Sequence, residues 1–153
     1  MGLFSGTRPD HLGVRDGRLA PPKRTPNNVS SQADRNADAG HFIEPLRYRG
    51  DARKAWAALQ AIVNGMQRVK VVKSDPNYLY AEFTTRLMGF VDDAEFYLDE
   101  NAGVIQVRSA SRLGLQYPRF MVQPKHLQSK HAVHGQPGSG HAGGCRLAQR
   151  YGR

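Results

Sequence analysis

The chain has 153 residues, 39% of them hydrophobic, with 16 Gly, 9 Pro and one cysteine, Cys145; this suits one domain with irregular parts and excludes an internal disulfide. A net charge of +9 invites a nucleic-acid reading, but residues 1–114 hold 16 of the 22 Lys/Arg and all 13 Asp/Glu, for only +3, an ordinary mixed surface. The other +6 falls in residues 115–153, which hold no acid, four of the six histidines and the cysteine.

The opening "MGLFSGTRPD" has too short an apolar core for a signal peptide and carries Gly6 where a myristoylation pattern needs Ser or Thr. No run approaches the roughly 18–20 apolar residues of a membrane span. A soluble, cytoplasmic protein is expected. Residues 1–40, with "APPKRTPNNVSSQADRNADAG", lack a helical or strand period and read as an extended or partly disordered arm, whose Pro-Asn-Asn and Ser-Ser elements suit turns packed on a domain surface. "GDARKAWAALQAIVNG" predicts a helix, with Asp51 as its cap, Trp56, Leu59, Ile62, Val63 and Met66 on its apolar face, and Gly65 as its stop.

Four alternating segments follow: "RVKVVK" (68–73), "YLYAEFTTRL" (78–87), Phe90 to Leu98, and "VIQVRSAS" (104–111). The breaks between them, "SDPN" and "DENAG", have turn chemistry. Residues 41–114 therefore predict an α+β domain of two layers, an antiparallel four-stranded meander packed on one main helix. Residues 115–153 read as a disordered, low-order basic tail. Its His126, His131, His134, His141 and Cys145 suit zinc by type, but their spacings match no standard zinc module. No metal site, cofactor or catalytic residue is assigned.

The block "GFVDDAEFYLD" carries the candidate chemistry. Strand alternation puts Asp92 with Phe90, Ala94, Phe96 and Leu98, and puts Asp93 and Glu95 on the opposite, polar face near Arg86 and Arg108. Asp93 and Glu95 are thus expected to face outward. Asp92 points with the apolar set, where an unpartnered carboxylate costs several kcal/mol, so Ser109, Ser111 and Arg112 are its expected partners. A regular strand keeps Asp92 and Asp93 apart, which disfavours a shared metal or an acid/base pair.

"LGVRDGRLAPPKRTPNNVSSQ", "PLRYRGD", "EFTTRLMGFVDDAEF" and "VIQVRSASRLG" together resemble the domain-of-unknown-function 1499 family over about residues 10–114. The resemblance implies a small α+β protein and no established activity. Its most recognisable pieces are Phe90, Val91, Asp92, Asp93 and Glu95, then Arg108, Ser109, Ser111, Arg112 and Gly114. This chain departs from the family in two places. Asn28 stands where the family usually has Cys, with Lys23 and Arg24 upstream, so a thiol role there cannot operate. The C-terminal Asp-x-Gly-x-Asn-Arg element is also missing, which with the compositional break leads us to expect a shifted reading frame over 115–153.

Three functions are weighed. The leading one is a non-enzymatic binding or accessory domain for an unknown acidic ligand or protein partner, using Asp92, Asp93, Glu95, Arg108, Ser109, Ser111 and Arg112. The alternatives are a hydrolase-like enzyme using Asp92 and Asp93, and weak nonspecific nucleic-acid binding through the basic tail.

Overall fold

The computed structural model describes residues 6–86 and 89–112, so the tail expectations lie outside the described residues. A small hairpin comes first, β1 (Val14–Arg15) and β2 (Arg18–Leu19). Asp16 and Gly17 join them with φ of 50° and 72°, the two left-handed positions that a tight two-residue hairpin turn demands. Next come β3 (Asn28–Ser30), β4 (Leu46–Arg47) and helix α1 (Ala52–Asn64). The chain then runs up and down through β5 (Val69–Ser74), β6 (Tyr78–Thr84), β7 (Val91–Asp99) and β8 (Val104–Ser111).

The helix starts where its cap predicts. The Asp51 carboxylate accepts from the Lys54 amide at 2.8 Å, satisfying one of the donors left open in the first turn. Ala55, Trp56, Leu59 and Val63 are buried. Met66, expected on this face, is exposed, because the helix has already ended at Asn64 and Gly65. Against the helix lie Leu79, Ala81 and Phe83 of β6, Ala94, Phe96 and Leu98 of β7, and Ile105 and Val107 of β8. The Trp56 indole N–H donates to the Asp75 carbonyl at 3.2 Å, tying the helix to the β5–β6 turn.

The expected four-stranded meander is the centre of a larger sheet. Strand order is β3-β8-β7-β6-β5, all antiparallel, and β4 pairs with the other half of β8. This gives six strands plus the separate β1–β2 hairpin. Strands of two or three residues are too short for alternation to register, so they left no period to read. β6 also stops at Thr84 rather than Leu87, and the register of β5 shifts between Val71 and Lys73.

The N-terminal segment is folded onto the face of the sheet opposite the helix. Leu19 packs with Tyr78 and Tyr80, flanked by Leu12, Val14, Val72 and Tyr97. The Ser-Ser element docks it on β8: the Ser31 hydroxyl donates to Gln106 at 2.7 Å and accepts from the Val107 amide at 2.8 Å. Both faces of the central strands β6, β7 and β8 are therefore largely interior.

Candidate functional site

The polar face of the sheet becomes a buried ion-pair ladder. Asp93 and Glu95, expected outward, are each 0% exposed, and Arg108 is 1% exposed. The reason is the arm, which covers a face that alternation alone assigns to water. Glu95 accepts from Arg108 at 2.6 Å, from the Tyr78 hydroxyl at 2.8 Å and from the Gly13 amide at 2.8 Å. Three donors, one of them charged, offset much of the cost of burying that carboxylate.

One rung along, the Arg112 guanidinium grips Asp93 in a two-point fork, Nε to Oδ2 at 2.9 Å and Nη2 to Oδ1 at 2.7 Å. The same Nη2 reaches Glu82 at 2.6 Å. The Tyr80 hydroxyl donates to Asp93 at 2.5 Å. From the arm, Arg8 closes the end of the ladder on Glu82, with Nε at 2.9 Å. Burial alone would push the Glu82 carboxyl up, but hydrogen bonds from Arg8 and Arg112 outweigh it and hold the group below its ordinary value. Burial next to Glu95 raises the Tyr78 phenol, and burial next to Asp93 raises that of Tyr80. Both hydroxyls are locked as donors.

The predicted site residues divide between the two faces. Asp93, Glu95, Arg108 and Arg112 meet on the arm side. Asp92 is directly opposite Ser111 in the β7–β8 register, on the helix side at the end of the sheet. Desolvation raises the Asp92 carboxyl, and the Ser111 hydroxyl bond partly opposes this. Arg112, one of three partners expected for Asp92, instead serves Asp93, because it follows Ser111 and points to the other face. Ser109 pairs with Ala94 and Val29 along the backbone and makes no side-chain hydrogen bond to the ladder among the described residues. Arg86 is exposed and joins no ion pair among them.

Arg8, Gly13, Tyr78, Tyr80 and Glu82 are the members that sequence reasoning missed. For Tyr78, Tyr80 and Glu82 a signal existed, since period 2 places all three beside Asp93 and Glu95. For Arg8 and Gly13 there was none, because their contacts span more than 70 residues of sequence.

Where the arm leaves the ladder, a cavity of about 270 Å³ opens at the seam with β8. Lys23, Asn27 and Asn28 line it from the arm, and Asp93, Arg108 and Arg112 from the sheet. Three of these residues carry a buried polar atom with no hydrogen-bond partner, namely Arg108 Nε and the side-chain oxygens of Asn27 and Asn28. The amide orientations are fixed by their donors: Asn27 Nδ2 gives to the Ser111 carbonyl at 2.7 Å, and Asn28 Nδ2 to the Lys23 carbonyl at 3.0 Å. Unpaired buried groups are rare in folded proteins, and three along one cavity call for an account.

A family model described as protein of unknown function (DUF1499) matches residues 18–117. The chain belongs to that family. No curated protein and no solved structure matched the chain. The DUF1499 match takes in β2 through β8 and every ladder residue except Arg8 and Gly13. Asn28, where the resemblance leads us to expect a cysteine, is buried on the cavity wall, as are Asp93 and Arg108. No helix among the described residues is long and apolar enough to cross a membrane.

Proposed function

We propose that the chain is a non-enzymatic binding domain whose cavity at the arm–β8 seam takes a small organic acid. The observation that supports this most is the unpartnered Nε of Arg108, a donor on a buried guanidinium whose residue lines that cavity. A carboxylate suits this donor and the neighbouring Lys23 and Arg112 charges. The side-chain oxygens of Asn27 and Asn28 favour a ligand that also carries hydroxyl or amine donors. A hydroxy- or amino-carboxylate has both, and 270 Å³ lies at the small end of ligand cavities.

The hydrolase alternative has less support. Asp92 and Asp93 lie on opposite faces, and Asp93 is engaged by Arg112 and Tyr80, so the two carboxyls do not converge on one substrate atom.

The test is a titration with L-malate and L-glutamate, followed through the backbone amide signals of Asn28, Ala110 and Arg112. Saturable shifts, weakened several-fold in Lys23→Gln, are the expected result. L-glutamine methyl ester, which lacks the carboxylate, should leave the signals in place. An absence of saturation with either acid would sink the reading.

A further inference from the structure

The β1–β2 hairpin holds a second feature that the seam cavity does not use. In its register Arg15 is directly opposite Arg18. Like charges placed across a strand pair destabilise it, and a two-residue strand has few other contacts to offset that. Neither arginine forms an ion pair among the described residues, and Asp16, in the turn between them, pairs with neither. The Arg18 side chain gives one hydrogen bond, to the Gln32 carbonyl at 2.9 Å; the Arg15 side chain gives none among the described residues.

Both arginines line a cavity of about 490 Å³, together with His11, Gln32, Leu19 and Pro21. None of its described lining residues is acidic. The paired charges thus border apolar surface, with a histidine beside them. This is the reverse of the ladder, where every arginine already has its carboxylate.

We propose that this hairpin cavity binds a phosphate monoester with an apolar body. Two arginines set opposite each other in the hairpin register and lining one cavity can match the two negative charges and the three terminal oxygens of such a group. The ligand's charge removes the Arg15–Arg18 repulsion, and its body covers Ala20 and Pro21 instead of water. The site shares only His11 with the seam cavity, so the two fail or stand separately.

Phenyl phosphate, inorganic phosphate and phenol added to the full chain, with the amide signals of Arg15 to Ala20 as readout, test this. Phenyl phosphate should saturate and bind several-fold more tightly than inorganic phosphate, while phenol leaves the signals unmoved. Arg15→Gln, whose side chain holds no described contact, should weaken phenyl phosphate about threefold. Arg15→Gln/Arg18→Gln should weaken it at least about tenfold, or roughly 1.4 kcal/mol, without moving the malate response at the seam. Equal binding by the double variant would overturn the proposal, as would equal binding of inorganic phosphate or no saturation by phenyl phosphate.

Discussion

On the helix side of the sheet, Leu79, Ala81, Phe83, Phe96 and Val107 meet Trp56, Leu59 and Val63. On the arm side, Tyr78, Tyr80, Glu82, Asp93, Glu95, Arg108 and Arg112 meet each other and the segment from Arg8 to Leu19. The same three strands supply both sets, residue by residue in alternation. One face is buried by apolar area, which is tolerant of small shifts. The other is buried by matched donors and acceptors, which are not. An alternating strand therefore tells which residues share a face, and only the cover tells whether that face is wet.

The contrast can be broken most forcefully at Arg108. Arg108→Ala leaves Glu95 buried without its cation and should cost about 3–5 kcal/mol in urea unfolding. Glu95→Leu/Arg108→Met removes both charges together and should recover most of that loss. A double variant as unstable as the single would mean that the pair is not coupled as the geometry requires.

The apolar face offers the matched experiment. Leu59→Ala should cost about 2–4 kcal/mol through lost area and a residual cavity. Salt separates this little from the Glu95–Arg108 pair, which is equally dry, but pH separates the faces clearly. Glu82 is held below its ordinary value by Arg8 and Arg112, so its stabilisation is present above the unfolded value and is lost as pH falls through the folded one. Glu82→Gln should cost about 1–2 kcal/mol at neutral pH, with the difference closing in acid.

Asp92 gives the smallest effect, with the opposite sign. Burial raises its carboxyl, so the folded state holds its proton more tightly and stability falls as pH rises from the unfolded value through the folded one. Asp92→Asn should therefore stabilise the chain at neutral pH, by no more than about 1 kcal/mol, and make no difference in acid. Urea midpoints for both variants at neutral pH and at pH about 3 read the two signs side by side. Curves for Asp92→Asn and Glu82→Gln that shift in the same direction would erase the distinction between the faces.

Much of the framework was legible in the residues. The Asp51 cap, the buried stripe of Trp56, Leu59 and Val63, the run of β8 and the partition of Asp92 from Asp93 all follow from local periodicity and turn chemistry. So did Ser111 as a partner of Asp92. Local patterns could not reveal that Arg8 and Gly13 return to β6 and β7, because nothing in a polar, Pro-rich segment encodes which distant surface it will cover. That one omission reversed the environment of Asp93 and Glu95, whereas Arg112 serves Asp93 through the alternation itself, since it follows Ser111. β3 and β4 escaped for a simpler reason, being shorter than any period that could announce them.

The Gly13-to-Glu95 hydrogen bond joins residues 82 positions apart, and it has a consequence for how the chain is made. The arm is synthesised before the sheet it covers, and its docking surface is complete only after β8 has been synthesised and paired. Until then the segment has no apolar cluster of its own to fold around, and Glu95 and Arg108 remain hydrated. Closure of this long loop is thus expected late, and it is the event that desolvates the ladder. Folding speed in this protein should be governed less by the helix or the hairpins than by the return of the segment from Arg8 to Leu19 to β6 and β7.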